Sequence, residues 1–230
     1  MTVRENIEIH KERIARAARE SGRQASDVEL IAVTKTRTVE EINEAIRAGI
    51  RIIGENRVQE LLEKYDSIDK SCEAHLIGQL QTNKVKYVLD KVTLIHSLDR
   101  VSLAEQINSL AEKRNMSPVK VLVEVNIGKE DTKSGILPEN LTEYLDILTN
   151  FRYINPIGLM TVAPATATET EQMHYFEEMR LLLEKGKGVF GNDFSQLSMG
   201  MSRDYEAAIR QGATMVRLGT ALFGERNYNI

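Results

Sequence analysis

Hydrophobic and polar positions along the chain fall into two units that repeat, a short β-branched run and a longer amphipathic stretch. Thr2-x-x-Glu5 can form a capping box, and Val3, Ile7, Ile14 and Ala18 recur near helical spacing, so the chain opens on a helix. Leu30-Ile31-Ala32-Val33-Thr34 then reads as a buried strand. Thr38-x-x-Glu41 starts a second helix with Ile42, Ala45 and Ile46 on one face, and Gly49 stops it. The same alternation predicts strands over 50–53, 74–77, 93–96, 119–127, 154–160, 196–199 and 215–218. Between them it predicts helices over 58–65, after Gln81, over 101–113, from Pro138 as first helical residue, over 170–185 and over 205–211. Gly54, Gly78, Gly128 and Gly219 are each read as ending a strand.

Eight strands alternating with helices imply parallel pairing and right-handed crossovers. An open doubly wound sheet and a closed barrel both satisfy that pattern. Eight units in 230 residues fit a (β/α)8 TIM barrel, here with an extra helix before the first strand. No linker or low-complexity stretch interrupts the chain, so one domain over 1–230 is expected.

Composition narrows the class of partner. Lys plus Arg is 30 against 34 Asp plus Glu, a formal net charge of −4. A chain without a basic surplus is not expected to bind nucleic acid. No apolar run approaches the length of a membrane span, and Arg4 and Glu5 stand where a signal peptide needs an apolar core. A cytoplasmic protein is expected. The one cysteine, Cys72, allows neither an intrachain disulfide nor a multi-cysteine metal site. It precedes the third strand, at the end of the barrel away from the expected site.

In a barrel of this kind, function gathers at the C-terminal ends of the strands. Two segments there stand out. Ser198-Met199-Gly200-Met201-Ser202 follows or closes strand seven, and Arg217-Leu218-Gly219-Thr220 closes strand eight. Either alone is an ordinary turn. At adjacent barrel positions, glycines beside hydroxyls suit a phosphate dianion held by backbone N–H groups. Lys35 sits directly after an apolar strand and would point into the barrel mouth. The bland alternative is a snorkelling surface lysine. A partly desolvated amine would instead be nucleophilic and suited to a Schiff base with an aldehyde. A phosphate site opposite such a lysine suggests pyridoxal phosphate.

Other candidates are weaker. Gly186-x-Gly188-x-x-Gly191 spells a dinucleotide fingerprint but follows a helix rather than a strand. His10, His75, His96 and His174 lack metal-ligand spacing. His10 and His174 are expected on the surface of outer helices, and His75 and His96 in the core.

Eight ordered motifs carry a resemblance that runs essentially the whole chain. They include Ala32-Val33-Thr34-Lys35, Gly54-Glu55-Asn56-Arg57, His75-Leu76-Ile77-Gly78 and Ile95-His96-Ser97. Val125-Asn126-Ile127-Gly128, Gly158-Leu159-Met160-Thr161 and the two segments around Ser202 and Arg217 follow. The chain resembles the pyridoxal phosphate homeostasis proteins, also called proline synthase co-transcribed homologues; Gln79 departs from the family pattern. The resemblance implies the alanine-racemase-like barrel of the fold-type III pyridoxal enzymes. It implies that Lys35 carries the internal aldimine and that Ser202, Gly219 and Thr220 hold the phosphate. Arg217 would face the pyridine nitrogen, with Asn56 and Met199 lining the pocket.

Two function classes compete: a protein that holds and delivers pyridoxal phosphate, and an enzyme such as an amino-acid racemase. Fold-type III racemases use a second, β-rich domain, which a chain stopping soon after Phe223 is not expected to supply. Racemisation needs acid/base groups on opposite faces of the α-carbon, and only Lys35 suggests itself. The expectation is therefore a monomeric carrier in vitamin B6 homeostasis, with apo pyridoxal enzymes as further partners. A signalling scaffold would act through surfaces that a sequence does not reveal.

Overall fold

The structure is a computed structural model, and it describes residues 1–225. Helix α1 (Val3–Glu20) leads into strand β1 (Glu29–Val33) and helix α2 (Val39–Arg47). Then come β2 (Ile52–Glu55), α3 (Val58–Tyr65), β3 (Glu73–Leu76), a 3-10 segment over Thr82–Tyr87, β4 (Leu94–Leu98) and α4 (Val101–Lys113). The second half holds β5 (Val119–Glu124), α5 (Leu141–Leu148), β6 (Ile154–Met160), α6 (Glu169–Phe190), β7 (Gln196–Met201), α7 (Tyr205–Arg210), β8 (Met215–Leu218) and the single turn α8 (Thr220–Phe223). All eight strands pair in parallel in chain order, and β1 pairs with β8, Glu29 opposite Met215 through Ala32 opposite Leu218. The sheet is thus a closed barrel, as expected, with α1 added ahead of it and packed against α2, α7 and α8.

Local chemistry sets the boundaries. The capping boxes at Thr2 and Thr38 both form, and Thr168 with Glu171 builds a third that starts α6. Ile50 is not in β2: its N–H closes α2 onto the Ala45 carbonyl, 3.1 Å away, after Gly49 takes φ +91°. Gly54 lies inside β2 rather than after it. A Cβ there would sit 2.9 Å from both Ile31 and Ile77, so the barrel interior requires glycine. The predicted helix after Gln81 is the 3-10 segment, and Pro138 opens a 3-10 turn with α5 starting at Leu141. β5 ends at Glu124, after which Val125 bridges Ile136. Gly186 and Gly188 lie within α6, and Gly191 caps its C-terminus at φ +75°. The dinucleotide spelling therefore marks a helix end, where no phosphate-binding N-terminus exists.

Apolar burial forms two shells. The larger one joins the outer faces of the strands to the helices. The smaller one fills the barrel interior with Ile31, Ile52, Leu94, Leu122, Met160 and Met215. Two residues further along four of these strands, the strand period brings Val33, His96, Glu124 and Arg217 onto the same inner face. The barrel interior thus passes from apolar to polar toward the C-terminal mouth.

Candidate functional site

The arm bearing Lys35 is held from behind. Thr36 follows it at φ +62°, a left-handed conformation uncommon for a β-branched residue. The Thr36 N–H donates to Glu60 Oε2 at 2.8 Å, and the Arg37 N–H to the Thr34 carbonyl at 3.1 Å. Lys64 Nζ donates to the Thr34 carbonyl (3.1 Å) and to Glu55 Oε1 (3.2 Å), and Thr34 Oγ1 donates to the same carboxylate oxygen at 2.7 Å. Glu55 is fully buried and its Oε2 has no hydrogen-bond partner. Burial pushes its pKa up, against the pull of Thr34 and Lys64. α3 thus supplies the side chains that fix the turn carrying Lys35, which is half-buried.

The arm after β7 is shaped by glycine. Gly200 takes φ +90°, and a Cβ there would lie 2.6 Å from Ala208 Cβ and 2.8 Å from Tyr205 Cα. The chain then turns at Met201, whose N–H donates to Asp204 Oδ1 at 2.6 Å. Ser202 Oγ accepts the N–H groups of Gly219 and Ala221, each at 3.3 Å, so the loops after β7 and β8 meet at one hydroxyl.

Arg217 points into the barrel and is 4% exposed. Its Nη2 donates to the Thr161 carbonyl at 2.7 Å and its Nη1 to Ser198 Oγ. Burial lowers its pKa to about 10, while Glu124 and Asp204 oppose that shift. Glu124 is pushed up to about 7 by burial and by Asp99, and Arg217 pulls it back.

Lys35, Ser202, Arg217, Gly219 and Thr220 come together on one cavity of about 260 Å³. Met199 and Asn56 do not line it. Successive residues of a strand face opposite sides, so with Ser198 inward the Met199 side chain lies in the outer shell, fully buried. Asn56 follows β2 with its Oδ1 buried and unpartnered, on a backbone packed so closely on Gly78 that a Cβ there would be 2.2 Å from the Asn56 carbonyl. Val33, Gln172, Arg203, Asp204 and the loop Ala163-Pro164-Ala165, which no sequence motif marks as site residues, also stand on the cavity wall. The small residues and proline directly after β6 were the available signal. His75 and His96 are in the barrel interior, 3% and 0% exposed. His10 is half-buried rather than superficial, its Nδ1 2.8 Å from the Tyr205 hydroxyl across α1 and α7. Burial pushes the Cys72 thiol up to about 11, which disfavours the thiolate at neutral pH.

The alanine racemase N-terminal domain family model matches residues 9–227. A pyridoxal phosphate homeostasis protein of Aquifex aeolicus (strain VF5) is 45% identical over 218 residues, 94% of this chain and 95% of the relative. This chain belongs to the pyridoxal phosphate homeostasis protein family. A solved member of that family's fold, PipY of Synechococcus elongatus PCC7942 with PLP bound, is 33% identical with a TM-score of 0.81, over 92% of this chain and 100% of PipY. An alanine racemase of Clostridium difficile 630 shares the fold at 19% identity and a TM-score of 0.71, over 99% of this chain and 58% of the racemase. No helix among the described residues is long and apolar enough to cross a membrane.

Proposed function

We propose that this chain binds pyridoxal 5′-phosphate in the cavity between β1 and β8 and serves intracellular vitamin B6 homeostasis by holding and releasing the cofactor, without substantial catalysis of its own. The observation that carries this reading is the convergence of an amine, a guanidinium and a hydroxyl-lined loop on one cavity. The donor set fits the cofactor. Ser202 Oγ accepts two backbone N–H groups and so keeps its own proton for a phosphate oxygen. Thr220 opens α8 beside it, and Lys35 stands across the cavity with Val33 as an apolar wall. The relatives' name and the PLP in PipY point the same way.

When bound, the cofactor supplies an aldehyde for the lysine and an electron-withdrawing ring. Lys35 offers its amine from a turn that Glu60 and Lys64 hold still. Arg217 would hold the ring nitrogen as a donor, and because a guanidinium has no acceptor atom it would disfavour a proton on that nitrogen. Such a contact would weaken the ring as an electron sink and favour holding over turnover. A single protein chain in the cytoplasm exchanging cofactor with apo pyridoxal enzymes completes the reading.

Borohydride reduction of the loaded protein, followed by peptide mapping, tests it. The pyridoxyl group is expected on Lys35, and Lys35→Ala should lose it while keeping the far-UV spectrum of the fold. Label that survives in Lys35→Ala overturns the assignment. The alternative, an amino-acid racemase, gains its support from the shared racemase fold. Deuterium entering the α-position of L-amino acids in deuterated water at an ordinary enzymatic rate would establish it instead.

A further inference from the structure

Arg217 is the upper end of a hydrogen-bonded series that runs down the inside of the barrel. Its Nη1 donates to Ser198 Oγ. Ser198 Oγ lies 3.0 Å from His96 Nδ1, and His96 Nε2 lies 3.0 Å from His75 Nδ1. At the lower end His75 Nε2 is 3.9 Å from the Glu73 carboxylate. There His75 borders a second cavity, with Glu73, Thr93 and Lys120, at the opposite mouth of the barrel. Ser198 and His96 are fully buried.

The arginine fixes the polarity of the whole series. A guanidinium only donates, so the Ser198 oxygen accepts from Arg217, and among the described residues the acceptor within reach of its own hydroxyl proton is His96 Nδ1. That nitrogen must then be bare. A neutral imidazole carries one N–H, so the His96 proton is on Nε2 and donates to His75 Nδ1. The His75 proton is in turn on Nε2, facing Glu73. Each link has one donor and one acceptor. Burial favours the same neutral rings, holding His75 at about 4 and His96 well below the usual range. The inner residues one level below are apolar and fill the barrel without hydrogen bonds. Desolvating two imidazoles and a hydroxyl at this level costs free energy that an apolar filling avoids. The polar groups at this level are instead aligned with Arg217, whose buried guanidinium reaches the cavity from the barrel interior.

We propose that Ser198 and His96 are positioning residues for Arg217, and that through it they set the direction in which the guanidinium meets the pyridine nitrogen of the cofactor. The proposal rests on the pyridoxal phosphate reading of the cavity. Arg217 has two anchors, the Thr161 carbonyl and Ser198. With both terminal nitrogens held, the plane of the fork is fixed. With Ser198 lost, it can turn about the Thr161 bond.

The test compares wild type with Ser198→Ala and His96→Gln by thermal unfolding, pyridoxal phosphate affinity and the absorption spectrum of the bound cofactor. Ring nitrogen-15 shifts are read on the cofactor-free proteins. Wild type should show both histidines protonated on Nε2. Ser198→Ala should lose that bias at His96, bind the cofactor about tenfold more weakly and shift its visible band. His96→Gln, whose amide can accept from Ser198 and donate to His75, should retain the band and bind within about threefold of wild type. Should Ser198→Ala fail to fold, Ser198→Cys, which keeps the volume and weakens the hydrogen bond, carries the same comparison. A folded Ser198→Ala with wild-type affinity and an unchanged band overturns the proposal alone. So does His96 protonated on Nδ1 in wild type. Wild-type protein that takes up no cofactor overturns the cofactor reading and this proposal with it.

Discussion

Two glycine-to-alanine substitutions in neighbouring elements should move stability in opposite directions. Gly200 closes the inner end of β7 at φ +90°, and an added methyl would sit 2.6 Å from Ala208 Cβ and 2.8 Å from Tyr205 Cα. The left-handed backbone costs a residue with a Cβ about 1–2 kcal/mol. Forcing a methyl against packed atoms costs about 1–3 kcal/mol more. Gly200→Ala should therefore lose about 2–5 kcal/mol. Gly188 lies exposed in α6 with nothing within 4 Å of its added Cβ. There alanine should gain about 0.5–1 kcal/mol through helix propensity. In a protein of this size 1 kcal/mol shifts Tm by about 2–4 °C, so Gly200→Ala should melt about 4–20 °C lower and Gly188→Ala about 1–4 °C higher. Urea unfolding followed by circular dichroism gives the same comparison at 25 °C. Gly200→Ala should also retain pyridoxal phosphate poorly, because α7 can yield only by moving the loop that carries Ser202. A Gly200→Ala protein within about 0.5 kcal/mol of wild type, or two shifts of the same sign, would refute the packing described for β7.

The remaining expectations concern the site. Thr220→Val should weaken pyridoxal phosphate binding about ten- to a hundredfold while leaving unphosphorylated pyridoxal nearly unchanged, measured by equilibrium dialysis; equal losses for both would remove the phosphate role. Glu124 has a folded pKa of about 7 against an ordinary value of 4.5, so the folded state holds its proton longer than the unfolded chain and loses stability as pH rises from about 4.5 to 7. Glu124→Gln removes that loss, and its stability relative to wild type should climb across the same window by up to about 2–3 kcal/mol; a difference that is flat or falls with pH would contradict the burial of Glu124.

Some parts of the molecule were legible in the sequence because their signals are local. α3, α4, β6 and β8 follow uninterrupted apolar periods, and their observed bounds are those predicted. The local pattern misleads where one residue serves two purposes. Gly54 has the pattern of a strand stop, but it is glycine because Ile31 and Ile77 leave no room for a Cβ. Ile50 continues the apolar run of a strand, yet its N–H finishes α2. At the cavity, Lys35, Ser202, Arg217, Gly219 and Thr220 could be listed together because barrel strands present their C-terminal ends to one mouth. The support behind them could not. His96 meets Ser198 across 102 positions through the barrel interior, and Thr34 meets Glu55 across 21 between neighbouring strands, pairings set by the fold and invisible to any local pattern.

The pairing of β1 with β8 has a consequence for the timing of synthesis. Lys35 stands at the end of the first strand and Thr220 just beyond the last, so the cavity straddles the seam where the barrel closes. At about 5–20 residues per second a ribosome releases the second side of that cavity roughly ten to forty seconds after the first. Until then a nascent chain can present the amine but not the loops that face it. A ligand spanning both sides is therefore captured by finished barrels and passed over by partial ones. Once captured, at a hundredfold excess over its Kd, it adds about 2.7 kcal/mol to the closed form. In such a protein the supply of ligand and the survival of the newly made chain are tied to the same seam.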